Sequence, residues 1–135
     1  MALGINSTTR SSMLDAITTR AGTSALLRIY DGTRPATGGT ATTLLAQLTC
    51  NATAFAAAAS SGVLTLNAIA SSLSAAATGT ATWFRIVKSD GTTHVLDGAV
   101  STIAAGTGDM QLDSTSIVLG GTVAISTATI TAGNP

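Results

Sequence analysis

Hydrophobic positions along the chain change period at Gly22. Before it, Met13, Leu14, Ile17 and Ala21 recur three and four residues apart, which places them on one face of a helix. Ser7 or Thr8 at its start offers a side-chain oxygen to the free backbone N–H groups of the first turn. Arg20 in the last turn and Gly22 just beyond are stop signals. The apolar stripe is narrow, so this helix must lie on another surface; alone it is marginal in water.

After Gly22 the period is two. In "ALLRIYDGT", Leu27 and Ile29 share one face, Leu26, Arg28 and Tyr30 the other, and Asp31-Gly32 supplies turn chemistry. "RPATGGT" is a loop, because Pro35 and Gly38-Gly39 disfavour regular structure. "TLLAQLTC" alternates again, with Leu44, Ala46, Leu48 and Cys50 set against Leu45, Gln47 and Thr49. "NATAFAAAASSG" reads as irregular or a short strand with Phe55 as its large anchor, and "GVLTLNAIA" as a strand with Leu64, Leu66 and Ala68 on one face. "ATWFRIVK", "SDGT" and "THVLDGAV" form a strong hairpin signal, an Asp-Gly pair between two alternating runs. Two or three further strands follow, broken by glycines at 106, 108, 120 and 121; Val123 and Ile125 share a face and Ile130 takes the opposite one.

Seven or eight short strands separated by turns predict a mainly β fold, an antiparallel β-sandwich or jelly roll with one N-terminal helix. Residues 1–24 are expected to form an N-terminal arm and helix, and 25–135 the β-sandwich body of a single domain.

Composition changes what this body is expected to do. Only 9% of residues are charged, against roughly 25% in a typical soluble protein. Glu is absent and the net charge is zero. Arg10, Arg20, Arg28, Arg34, Arg85 and Lys88 are scattered, which argues against a nucleic-acid stripe and against electrostatic docking to a membrane. No run reaches the ~20 apolar residues of a membrane helix. "MALGINSTTR" lacks the basic start and apolar core of a secretory signal, so synthesis in the cytoplasm is expected. Cys50 stands alone and reads as a small buried hydrophobe. A neutral surface of Thr, Ser, Ala and Gly is poorly protected against association, and such side chains lose little rotamer entropy when immobilised. That suits a protein covered by neighbours; the plainer alternative is a monomer with an unusual surface.

Candidate chemistry is thin. His94 and Asp97, three apart on an extended strand, should point to opposite faces, which defeats a Ser-His-Asp arrangement. One His, one Cys and no Glu do not make the usual zinc sets, and Asp109 and Asp113 lack the spacing of an EF-hand loop. Three aspartates, Asp31, Asp90 and Asp97, precede glycine and read as turn residues. The glycine-rich "GTGDMQ" and "LGGTVA" do not match a phosphate loop. Hence no catalytic residue, no metal ligand, no cofactor and no small-molecule substrate is expected. Trp83 has two registers. With Phe84 and Ile86 inward, Trp83, Arg85 and Val87 form an outward stripe of the type found at binding hot spots; inverted, Trp83 and Val87 are core, the preferred reading. The candidate interface is therefore Met13, Leu14, Ile17, Trp83 and Arg85.

From about residue 26 the chain resembles a known family. "LRIYDGTRPAT" with "LLAQLT", then "TGTATWFRIVKSDGTTHVLDGAV" and "GDMQLDSTSIVLGGTVAISTATIT", look like small virion structural proteins of tailed bacteriophages. The Trp-Phe-Arg hairpin and "VLDG" are the sharpest parts of the likeness. The resemblance implies a capsid cement, or decoration, protein on the outer shell of the virion. It would act as a dimer or trimer, with the major capsid protein as partner, and no catalytic residue is carried over. Alternatives are a tail or baseplate component and a carbohydrate-binding fibre module; the 3% aromatic content counts against the last.

Overall fold

A computed structural model describes residues 4–57, 62–72 and 74–132. Parts of the arm and of the "NATAFAAAASSG" segment lie outside the described residues. Helix α1 (Ser7–Ala21) is capped by Asn6, whose side-chain oxygen accepts the Thr8 N–H at 2.8 Å, so the cap falls one residue before the hydroxyls expected to provide it. At the other end Gly22 has φ +69° and donates its N–H to the Thr18 carbonyl, a conformation that costs any other residue strain. Leu14 and Ala21 are buried and Ile17 is half-buried, while Met13 is 54% exposed. The apolar face is thus narrower than the spacing predicts.

The fold is mainly β and sandwich-like, with this one N-terminal helix. Among the described residues nine strands follow: β1 (Leu26–Tyr30), β2 (Leu44–Thr49), β3 (Val63–Thr65), β4 (Gly79–Thr80), β5 (Trp83–Val87), β6 (His94–Thr102), β7 (Met110–Leu112), β8 (Ser116–Ile117) and β9 (Thr127–Thr131). Seven lie in the order β2-β1-β5-β6-β7-β9-β3, and β4 pairs with β8 separately. Every pairing is antiparallel except β6 with β7. β6 is shared: its first part pairs with β5, and Val100–Thr102 with Met110–Leu112.

One face of the sheet carries the main core. Leu27, Ile29, Ala46, Leu48, Phe84 and Ile86 occupy it on one half, Met110, Leu112, Ala128 and Leu64 on the other, and Leu14 and Ala21 of α1 belong to the same cluster. The helix and the body therefore share one core. Phe84 and Ile86 point inward, as the first register of the Trp83 strand requires. Phe84 lies over Gly98, where a Cβ would come within 2.4 Å of its ring.

Two bulges alter the expected alternation. Between Ile29 and Tyr30 the pairing skips Leu45, so Leu45 and Ala46 are both buried although adjacent. Between Ile86 and Val87 it skips Val95 on β6. The free edges of the outer strands are covered: the Leu45 carbonyl accepts the Ala76 N–H at 2.7 Å, and the Thr65 carbonyl accepts the Ala56 N–H at 2.9 Å. Edge-to-edge pairing with another chain is blocked at these points. No helix among the described residues is long and apolar enough to cross a membrane.

Candidate functional site

The second face of the sheet holds most of the residues that the sequence singles out. β1 and β5 run antiparallel with Tyr30 opposite Trp83 and Arg28 opposite Arg85. The Tyr30 and Trp83 rings stack, centroids 4.4 Å apart and planes 14° from parallel. The Arg85 guanidinium carbon sits 5.2 Å from the Trp83 ring centroid, within cation–π range. Trp83 is 1% exposed and Arg85 9%. Both faces of β5 are buried, so the choice between core and outward stripe is not the one the molecule makes. Trp83 points away from the main core and is covered all the same.

The cover is the loop 31–43. Trp83 Nε1 donates to the Asp31 carbonyl and to Thr42 Oγ1, each at 3.0 Å. Thr42 Oγ1 in turn donates to the Asp31 carbonyl, and the Thr43 N–H to Asp31 Oδ1. At the loop tip the Gly38 N–H donates to Asp97 Oδ2 at 3.1 Å, and Arg85 Nη1 to the Gly39 carbonyl at 2.9 Å. Beneath the tip Arg85 grips Asp97 with two parallel bonds, Nε to Oδ1 at 2.6 Å and Nη2 to Oδ2 at 2.9 Å. Burial alone would raise the Asp97 carboxyl. The bonds from Arg85 and the Gly38 N–H, with the nearby Arg85 and His94, outweigh it and hold the group below the ordinary carboxylate range. The Asp97 bond likewise holds the Arg85 guanidinium above its usual value.

His94 and Asp97 do not point to opposite faces. The Val95 bulge shifts the alternation by one, and His94 Nε2 lies 3.2 Å from Asp97 Oδ1. A serine-hydrolase arrangement would need the carboxylate on one imidazole nitrogen and a nucleophile on the other. Here the carboxylate is occupied by the Arg85 fork and the Gly38 N–H, and the contact with His94 lacks hydrogen-bond geometry. The arrangement ties a loop to a strand.

The same use of charge recurs elsewhere. Asp90 accepts the N–H groups of Thr92 and Thr93 in the β5–β6 turn, where Gly91 has φ +74°. These bonds and that from the Thr93 hydroxyl hold its carboxyl well below the usual range. Asp109 accepts the Ala99 N–H, and Asp113 the Ser126 hydroxyl. Arg28 donates to Gln47 and to the Gly91 carbonyl, and Arg10 to the Ala132 carbonyl. At least eight of the twelve charged side chains are thereby bonded to the chain itself.

Of the other expected contact residues, Leu14 is buried, Ile17 half-buried and Met13 exposed. The sequence reading missed Val118 and Leu119, 62% and 65% exposed on a turn after β8. That turn is firmly held: the Gly121 N–H donates to the Val118 carbonyl, Leu119 N–H to Thr78 Oγ1 and Gly120 N–H to the Ala75 carbonyl. The available signal was "IVLGG", an apolar run ending in the two glycines of a turn, which reads equally well as the end of a buried strand. A surface cavity of about 330 Å³ adjoins it, lined by Asp113, Ser116, Ile117, Thr122 and Val123 among others. No group of three or more His, Cys, Asp or Glu able to hold a metal ion occurs among the described residues. Comparison with protein-family models, curated proteins and solved structures returned no match to this chain.

Proposed function

We propose that the chain is a structural virion protein, a capsid decoration protein that bridges neighbouring major capsid proteins on the outer shell as a dimer or trimer. The observation that carries this reading is where the charge goes. At least eight of twelve charged side chains are spent on tying the chain to itself, and what faces solvent among the described residues is largely Ala, Ser, Thr and Gly with exposed aliphatics at Val118, Leu119, Ile103 and Met13. Such a surface resists association weakly and orders at little entropic cost. Repeated over a lattice, modest contacts of this kind add up through effective concentration. The resemblance of the Trp-Phe-Arg hairpin and "VLDG" to small phage virion proteins points the same way.

Quantitative mass spectrometry of purified particles from a phage encoding this chain tests the proposal. Hundreds of copies per particle, retained on tailless heads, are expected. A copy number in the low tens that follows isolated tails would move the assignment to the tail or baseplate. Absence from particles would overturn both.

A further inference from the structure

We propose that Asp31–Gly32 is a modification site, the one Asp–Gly pair of three that the folded chain leaves free to isomerise through a succinimide. This inference is independent of the virion reading.

The chemistry is intramolecular. The backbone nitrogen of the following residue attacks the aspartate Cγ and a C–N bond forms. The carboxyl OH and the amide hydrogen leave together as water. Water then opens the ring at either carbonyl. Opening at the former backbone carbonyl routes the main chain through Cβ and gives isoaspartate with a free α-carboxylate. Glycine obstructs the attack least, because it carries no Cβ. Since glycine follows Asp31, Asp90 and Asp97 alike, the dipeptide is constant and the fold decides among the three.

Two of the pairs are closed at the nucleophile. The Gly91 N–H donates to the Lys88 carbonyl at 2.9 Å within the β5–β6 turn. The Asp90 carboxyl is held on both oxygens by Thr92 and Thr93. Gly98 is buried in β6 opposite Phe84. The Val100 N–H bonds the Thr82 carbonyl, so by the alternation of an antiparallel ladder the Gly98 N–H also points at β5. Asp97 has both oxygens on Arg85. The same bonds keep both carboxyls ionised, whereas the ring closes on the neutral acid.

Asp31–Gly32 is arranged the other way. Gly32 is exposed, and its N–H has no hydrogen bond among the described residues. The Asp31 carboxyl takes one bond there, from the Thr43 N–H to Oδ1 at 3.1 Å. That donor sits on an oxygen that gains negative charge as the nitrogen adds, and Oδ2 is left as the oxygen to depart. The product also changes the surroundings of Trp83. The Asp31 backbone carbonyl accepts Trp83 Nε1 at 3.0 Å and the Thr42 hydroxyl. In isoaspartate that carbonyl becomes a carboxylate off the main chain, so the anchor of the indole is altered.

Ageing of the full chain at neutral pH, folded and in parallel unfolded in guanidinium, tests this. Asp-N protease cuts before aspartate but not before isoaspartate, so a digest made after denaturation reads all three sites by mass spectrometry. In the unfolded chain the three pairs should convert at similar rates. In the folded protein Asp31 should convert ~5-fold or more faster than Asp90 or Asp97, the factor set by one hydrogen bond withheld at the nucleophile. Acrylamide quenching of Trp83, the sole tryptophan, should rise in step with isoaspartate at residue 31. Asp31→Glu, whose longer side chain cannot close the five-membered ring, should stop both changes. Equal rates at the three folded sites, or conversion of Asp90 or Asp97 ahead of Asp31, would overturn the proposal. So would a folded chain left intact at Asp31 after the unfolded chain has converted.

Discussion

At the scale of single residues, two positions show how closely the interior is fitted. Gly98 faces the Phe84 ring, and any Cβ there would sit 2.4 Å from one ring carbon and 2.6 Å from the next. Gly98→Ala should cost about 1–3 kcal/mol or more, as overpacking does. Adding Phe84→Leu should recover part of that loss, so the double variant will be less destabilised than the two single costs summed, as measured by chemical denaturation. Cys50 is 4% exposed, and burial pushes its thiol up to about 11. The thiolate is the reactive form. Native protein at pH 8 should therefore react with a thiol reagent many times more slowly than protein unfolded in guanidinium; equal rates would show that Cys50 is open to solvent.

At the scale of elements, α1 has little of its own to stand on, since only Leu14 and Ala21 of its residues are fully buried. Leu14→Ala should cost about 2–5 kcal/mol, the range for a deleted core leucine. Met13→Ala, one residue away and exposed, should change stability by less than about 0.5 kcal/mol. Thermal or denaturant melts of the two variants separate these outcomes. The elements were legible in the chain to differing degrees. The β5–β6 hairpin could be read directly, because Asp90-Gly91 sits between two alternating runs and Asp90 does fold back on Thr92 and Thr93. Helix α1 was readable from its spacing and from Gly22. The relation of His94 to Asp97 was not, because one unpaired residue, Val95, inverts the side-chain alternation of β6 and leaves no mark in composition. Leu45 escaped for the same reason. The cover over Trp83 was hidden more deeply. "RPATGGT" announces a loop, but that its glycines lie on a buried Arg–Asp pair is decided by contacts far apart in sequence, such as Gly38 with Asp97.

At the scale of the whole molecule, charge acts as fastening more than as surface. Asp97 has its carboxyl held below the ordinary range when folded, so it contributes stability that is fully present above the unfolded-state value of about 3.9. That contribution is lost as pH falls through the folded value. The melting temperature should thus vary little on account of Asp97 between pH 7 and 5 and fall below pH 4, with a smaller fall in Asp97→Asn, whose amide does not titrate. Cys50 gives the opposite sign at the other end. Its raised thiol contributes fully below about 8.5 and loses that contribution as pH rises toward 11.

The division of β6 between two partners has a mechanical consequence. β5 grips its first part through five residue pairs in antiparallel register, whereas β7 holds Val100–Thr102 through three parallel pairs. A load drawn across the body, from the β2 margin to the β3 margin, has to cross that short parallel seam. Under single-molecule extension with handles at Gln47 and Thr65, the first rupture should free β7 from one of its two neighbours, β6 or β9, which hold it through three and two residue pairs, and a disulfide joining β7 to either neighbour should move the rupture to the other.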